Sequence, residues 1–589
     1  MRRRLFHEIG DFCVECPQFK NRNFMQISGR IRASAGTLAR VRLRWQLARF
    51  MAATQDCQKT QKETLASLLE LNGQSDLAVQ NGLDHATSPE DLDKAVPVTD
   101  YSFYRDAIER AKLGETQALL GPKNRLMMFT LSSGTTSESK FIPVTNRFYR
   151  DYRRSWQIWG ISAFDSRPKM KALKIVQLSS DYQRFTSEGG TPCGNISGLA
   201  AAMQKPAVKL LYTLPSILAK IDNPADKYYT ALRLAIADPY VGMLTTANPS
   251  TLVHMAQMAD GRKEDLIRDI HNGTLSVAEK LSSNVRNAIA RRISRADIHR
   301  AQALGKMVEQ SGSLLPKDYW PELQLAAIWT GGSCAAYLPT LYEYYGDVAV
   351  RDHGLSASEG RMTIPFQDTS PDGVLDITSH YYEFIPEAEY GSSNPTILKA
   401  HELEVDQDYF ILLTTASGFY RYDICDVVRC VGHQHTTPIL RFLHKGAHIS
   451  NITGEKLSES QVVEAVRATL SEFSHRVGCF TMIPSWGEPP RYQLMLEDWE
   501  VPQNGSSQQF EIRLDERLCE INCEYHEKRT TSRLAPLEIL PLRRGSWGEF
   551  ARDRQAKLGG SIEQYKHPCL LPNLEVAAKV ASRFQASGN

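Results

Sequence analysis

The amino-acid sequence predicts an α/β protein with a large N-terminal unit of β-sheets and packed helices and a smaller α+β C-terminal unit. Three observations carry this. The 589 residues exceed what one compact core organises, so more than one folded unit is required. Up to about residue 445, helical stretches alternate with short β-rich apolar runs bounded by turn residues. Beyond that point helix and strand alternate on a smaller scale. The boundaries are placed at 1–40 for a basic N-terminal extension, 41–445 for the large unit and 446–589 for the small one.

The extension opens M-R-R-R-L-F-H-E-I-G, with the charge of a signal-peptide n-region but no apolar run after it. Its arginines, among them Arg22, Arg30 and Arg32, read as a solvated tail leading into a helix. From about Ile27 to Leu71, apolar positions such as Leu43, Leu47, Phe50, Leu65 and Leu68 fall near helical spacing. R-L-M-M-F-T before residue 131 suits a buried strand. The hydroxyl-rich loop L-S-S-G-T-T-S-E-S-K follows, and Thr145 is placed to cap a helix carrying Phe148, Tyr152 and Trp156. Residues from Ala256 to about Gln310 read as helical, with arginines on an exposed face because acids are interleaved. L-A-A-I-W-T, Y-Y-E-F-I-P, D-Y-F-I-L-L-T-T and D-V-V-R-C-V-G read as strands. In the small unit, S-E-S-Q-V-V-E-A-V-R-A-T-L is helical and R-Y-Q-L-M-L a strand.

Lys+Arg 69 against Asp+Glu 67 leaves a net charge of +2, so no global field favours nucleic acid or an anionic membrane. No run of about 18 or more apolar residues suggests a membrane span. The eleven cysteines lack the paired spacing of a zinc module or the density of a secreted scaffold, which suits a reducing cytoplasm. The expectation is a cytoplasmic monomer that takes small molecules, with neither nucleic acid nor membrane as partner.

Chemistry concentrates in three segments. Taken alone, the loop at 131–140 is either a solvated turn or a cradle for phosphate oxygens. It is not a Walker A loop, which needs a second glycine and a Lys-Ser/Thr ending. The second comprises W-T-G-G-S-C-A-A-Y-L-P at 329–339 and G-L-S-A-S-E-G at 354–360, two transitions whose small residues let backbones approach closely. The third is Y-R-Y-D-I-C-D-V-V-R-C-V-G at 420–432, where Asp423 and Asp426 are turn caps or ligand-binding carboxylates.

The loop is similar to the hydroxyl-Gly-Thr-Thr-x-x-x-Lys signature of the adenylate-forming superfamily that includes firefly luciferase. That likeness places the β- and γ-phosphates of ATP against Ser132, Ser133, Gly134, Thr135, Thr136 and Lys140. The second pair of segments resembles the superfamily's adenine-binding turn and its glutamate segment. It implies Gly331, Gly332, Ser333 and Ser358 at the nucleotide and Glu359 at Mg²⁺, a cation that prefers oxygen ligands. The third segment narrows the resemblance to the auxin-responsive acyl-acid amido synthetases, whose pattern is T-T-x-x-G-L-Y-R-Y-R-x-G-D-V. Asp426 stands where that family binds both ribose hydroxyls, with Tyr420 and Arg441 as further nucleotide-binding positions. K-A-V-P-V-T-D-Y, Y-Y-E-F-I-P and S-I-E-Q-Y-K-H-P resemble other family segments, so the likeness runs from about residue 40 to 575.

The resemblance implies an adenylate-forming N-terminal domain, a small mobile C-terminal domain and a ligase that uses ATP and Mg²⁺. The acid would be adenylated with release of pyrophosphate, and its acyl group passed to the amine of an amino acid. Lys566 is the implied catalytic lysine of adenylation and Lys456 a second one, with a hinge at L-H-K-G-A-H, 443–448. A thioester-forming acyl-CoA ligase and a catalytically silent nucleotide-binding relative are the alternatives. Cys425 replaces the family's glycine before the ribose aspartate, and Asp423 replaces an arginine. If that backbone has positive φ, a side chain there costs on the order of 1 kcal/mol. The departures suggest a bacterial-type member.

Overall fold

Two helices, Thr37–Ala53 and Cys57–Asn72, open the fold in the computed structural model, which describes residues 37–133, 139–331, 338–390, 392–445, 449–475, 477, 479–502, 506–558 and 568–586. The helical stretch expected to run unbroken to Leu71 is split at Asp56, whose carboxylate accepts the Lys59 N–H at 3.0 Å and caps the second helix.

A four-stranded parallel sheet runs in the order 174–177, 241–245, 325–328, 349–352. Its strand Leu325–Ile328 is buried at every position, because helices cover both faces of such a sheet and leave it no polar side. Tyr228, Leu232, Leu252, Leu304 and Trp320 form the packing around it. The expected 256–310 helical region comprises Pro249–Gly261, Lys263–Asn272, Ser283–Ile293 and Ile298–Ser311. Arg291 and Arg292 are exposed as expected, whereas Arg300 is buried and donates to the carbonyls of Ile236 and Tyr319 at 2.9 and 2.7 Å.

A seven-stranded antiparallel sheet joins 363–364, 373–375, 437–445, 422–434, 408–414, 381–386 and 398–399 in that order. Its core, with Phe129, Tyr382, Phe384, Ile411 and Val428, is continuous with residues of the opening loop's strand. The C-terminal residues have hydrophobic clusters of their own, centred on Leu494, Phe510, Tyr525 and Leu534, and on Ile483, Leu542 and Phe550. A three-stranded sheet in the order 481–485, 491–497, 538–542 lies at their centre. Arg533 reaches across to Thr251 at 3.3 Å, and Thr340 donates to Glu488 at 3.1 Å, so the C-terminal residues touch the parallel-sheet region through polar groups.

The strand before the expected loop is followed by a second strand rather than directly by a helix. Leu126–Ser133 pairs antiparallel with Ser139–Thr145, and only then does the helix Asn146–Asp165 begin. Residues 142–145 are all buried, a short continuous buried run bounded by the helix cap, which suits a strand covered on both sides. Thr145 does cap the helix, accepting the Phe148 N–H at 3.2 Å. The helix N-terminus therefore lies at the far end of a strand from the loop, and its dipole does not serve the loop.

Candidate active site

Tyr422 is the point where the motifs meet. It is 1% exposed, and burial raises its hydroxyl pKa, with the charges of Glu359 and Cys425 and the neighbouring Tyr101 adding to the rise. Glu359 is itself buried, at the turn of the hairpin that pairs Ser356–Ala357 with Gly360–Arg361. Tyr101 connects to the opening loop: its hydroxyl accepts the Phe141 N–H at 2.9 Å, and the Lys140 Nζ lies 5.4 Å from its ring centroid. Lys140 is half-buried and pairs with Ser132 in the hairpin. Asp100 caps the helix Tyr101–Lys112, and its bond from Ser102, aided by the Lys140 charge, holds its carboxyl below the usual range.

The V-P-V-T-D-Y segment lies against Y-R-Y-D by hydrogen bonds: the Thr99 N–H donates to Arg421 at 3.0 Å, and Asp423 N–H to Thr99 at 2.8 Å. Arg421 has φ 48°. This left-handed turn is held from three sides, by Thr414 Oγ1 at 2.9 Å, by buried Glu383 at 3.1 Å and by the Val96 carbonyl at 2.9 Å. It projects Tyr422 and Asp423 onto the next strand. Cys425 has φ 56°, so the expected positive φ is present although the residue is not glycine. Asp423 accepts the Cys425 N–H at 2.6 Å and the Tyr390 hydroxyl at 2.6 Å, and Tyr390 stacks on Phe410 with ring centroids 3.5 Å apart. Burial raises the Asp423 carboxyl pKa, and the nearby Asp426 charge adds to the rise. Asp426, 3% exposed, follows in the same strand.

One bracket unites the second pair of segments. Asp352, buried at the end of a parallel strand, accepts from Thr330 N–H at 2.5 Å, Thr330 Oγ1 at 2.8 Å and Gly354 N–H at 2.6 Å. A side chain at Gly354 (φ 86°) would meet the Thr363 carbonyl at 2.3 Å, so this glycine is sterically required. Ser358 is half-buried beside Glu359. A Cβ at Gly331 would meet Pro371 and Phe442 only at ordinary contact distance, so space alone does not require glycine there.

Two expected nucleotide residues lie elsewhere. Tyr420 is 1% exposed, its ring packed with Met128 and Val144 in the core, and its backbone N–H and carbonyl are bonded to Tyr104 at 2.8 and 2.7 Å. Its ring and backbone are thus engaged in the core, while its buried hydroxyl has no hydrogen-bond partner among the described residues. Arg441 is exposed and spends its guanidinium on a two-bond pair with Asp372, at 2.6 and 2.7 Å. Lys456 is half-buried with φ 46°, in a turn organised by buried Glu455, which accepts from Ile452 N–H, Thr453 N–H and Tyr492 at 2.6, 2.7 and 2.5 Å. Gly454 of this turn approaches Asn248 and Lys528. Gly134, Thr135, Thr136, Gly332, Ser333, Lys566 and the centre of the expected hinge, 446–448, lie outside the described residues, as do the side chains of Ser132 and Ser133.

Models of the GH3 family's N-terminal, central and C-terminal domains match residues 46–350, 373–445 and 460–575, in that order. The chain belongs to the GH3 family. Relatives include jasmonoyl–L-amino acid synthetase JAR6 of Nicotiana attenuata, 25% identical over 89% of this chain and 93% of that protein. Indole-3-acetic acid-amido synthetase GH3.4 of Arabidopsis thaliana is 22% identical over 87% and 89%. Among solved structures, the AtGH3.15 acyl acid amido synthetase in complex with 2,4-DB superposes with a TM-score of 0.64 at 19% identity, covering 92% of this chain and 96% of that one. This GH3 chain therefore has the GH3 fold across nearly its whole length. Sequence reasoning missed Asp352, whose bracket needs Thr330 from the neighbouring strand, and Arg421, whose partners include Glu383 and Val96 far away in the chain.

Proposed function

We propose that this GH3 chain is an ATP-dependent acyl-acid amido synthetase. The observation that carries the reading is that Tyr422, at the head of the Asp423–Asp426 strand, feels the charge of Glu359 and neighbours Tyr101, whose ring Lys140 approaches to 5.4 Å, within a family whose relatives are named as amido synthetases. A carboxylate is a poor acyl donor because its leaving group would be oxide. Attack of the carboxylate oxygen on the α-phosphorus of ATP releases pyrophosphate and leaves an acyl adenylate, whose leaving group is AMP. The amine of an amino acid then attacks the acyl carbon, forms the amide and expels AMP.

The residues fit these tasks chemically. Asp426 offers a buried carboxylate that accepts from two ribose hydroxyls. Ser132, Ser133 and Lys140, with Gly134, Thr135 and Thr136, suit phosphate oxygens as hydroxyl, amide and ammonium donors. Glu359 is an oxygen donor suited to Mg²⁺, which when bound offsets phosphate charge. Gly331, Gly332, Ser333 and Ser358 border the nucleotide in this reading, and Lys566 and Lys456 serve as cations for the two half-reactions. Most of the catalysis is positioning and charge stabilisation. The site works in the cytoplasm on small acids and amino acids. Among the described residues no helix is long and apolar enough to cross a membrane, and the eight cysteines are free thiols.

Exchange of labelled pyrophosphate into ATP, run across a panel of carboxylic acids, tests the reading. Acid-dependent exchange is expected; its absence with every acid counts against adenylation.

A further inference from the structure

Arg361 is a buried cation whose guanidinium is only partly satisfied. It is 1% exposed, Nη2 donates to the His353 carbonyl at 2.7 Å, and Cζ lies 3.9 Å from the centroid of the Trp156 ring. Nε and Nη1 have no hydrogen-bond partner among the described residues. The nearby carboxylates are occupied: Asp352 by Thr330 and Gly354, and Asp376 by Ser155, Thr378 and Ser379. Burial lowers the guanidinium pKa only to about 10, so it stays charged at neutral pH. The charges of Asp376 and Asp352 favour the cation, but two dry N–H groups without acceptors are costly, and a planar fork of donors suits a pair of anionic oxygens.

Its position gives the fork a purpose. Arg361 ends the hairpin whose turn holds Ser358 and Glu359. Tyr152, Trp156, Leu355 and Ala357 beside it are half-buried, an aromatic and small-residue surface on which an apolar acid body can lie. A carboxylate gripped by this fork would be a weaker nucleophile toward phosphorus, so the oxygens it takes are not those that react.

We propose that Arg361 is a specificity-determining residue of the acyl-acid site, binding an anionic oxygen group at the end of the acid remote from the reacting carboxyl. The favoured substrates are then dicarboxylic or similarly two-headed acids. This rests on the amido synthetase reading.

Matched acids test it: phenylacetate against 4-carboxyphenylacetate, and hexanoate against adipate, in pyrophosphate exchange. The wild type prefers the two-headed member by on the order of 10-fold or more in kcat/KM. Arg361→Met brings that ratio to about 1, and Arg361→Lys retains part of it. A second arm needs no catalysis. 4-Carboxyphenylacetate alone raises the unfolding temperature of the wild type, phenylacetate does so less, and the difference vanishes in Arg361→Met. Without ligand, Arg361→Met itself unfolds at a higher temperature, since it removes a buried guanidinium with two unpartnered nitrogens. Equal ratios in wild type and Arg361→Met, or a wild-type preference for the plain acids, overturn the proposal. A lower unfolding temperature for Arg361→Met with no loss of ligand discrimination assigns Arg361 to structure and also overturns it. Failure of exchange with every acid, alongside selective stabilisation by the two-headed acid, instead contradicts the amido synthetase reading and leaves the binding role standing.

Discussion

The Asp423 carboxylate accepts the backbone N–H of Cys425 at 2.6 Å, and Cys425 has φ 56°. Both residues depart from the family pattern, and the structure couples the departures. A left-handed conformation costs a non-glycine residue roughly 1–2 kcal/mol, and a charge-assisted hydrogen bond offsets about that much. The aspartate thus holds a turn that glycine would adopt without help, directly before Asp426.

Cys425→Gly is therefore expected to change stability by less than about 1 kcal/mol, since relief of strain is offset by greater freedom in the unfolded chain. Cys425→Val should cost about 2 kcal/mol, because a β-branched side chain is an outlier at this φ. Thermal or urea unfolding of the two variants checks the contrast, and equal stabilities would contradict it.

Asp423→Ala leaves the Cys425 N–H and the Tyr390 hydroxyl without their acceptor, at about 1–3 kcal/mol for each group that stays dry. The turn ahead of Asp426 loosens, so the KM for ATP should rise at least several-fold. Asp426→Ala should raise it further. Steady-state kinetics with varied ATP separates them; an unchanged KM in both variants contradicts the ribose assignment.

Asp352→Ala removes the bracket between Thr330 and Gly354 and leaves three donors unpaired. A loss of about 3 kcal/mol is expected. Asp352→Asn keeps one acceptor oxygen and should cost less. Urea unfolding reads the difference, and a neutral Asp352→Ala would show that the bracket is dispensable.

Acid should destabilise the protein through two desolvated histidines, buried His353 and half-buried His254. Burial, with the Arg361 charge, lowers His353 to about 3, and burial with the Arg533 charge lowers His254 to about 4. Both sit below the unfolded value of about 6.5, so below that pH the unfolded chain binds more protons. Stability is full above about pH 6.5 and falls as pH drops toward the folded values. Between pH 7.5 and 5 the loss is about 2 kcal/mol per histidine. His254→Gln should flatten the urea-unfolding profile by that amount; an unchanged slope contradicts the assignment.

Much of this fold was legible in the sequence, and the rest was hidden for identifiable reasons. Apolar runs such as Y-Y-E-F-I-P and D-Y-F-I-L-L-T became strands because buried strands advertise themselves by composition. The cap at Thr145 was local and therefore readable. The hairpin at 126–145 was missed because F-I-P-V is short and contains a proline, while its strand pairing is a nonlocal fact. Tyr420 looked like a site residue by its motif, yet it lies in the buried turn before the strand and its ring packs in the core. Arg441 carried the right charge, but its partner Asp372 is 69 positions away. The Arg361 environment was invisible, since it depends on which carboxylates other residues have already engaged.

The most direct test is mass spectrometry of the products formed by the purified chain from ATP, pooled carboxylic acids and pooled amino acids. AMP, pyrophosphate and a new N-acyl amino acid are the predicted products. Formation of ADP, or consumption of ATP without any amide, would contradict the amido synthetase account.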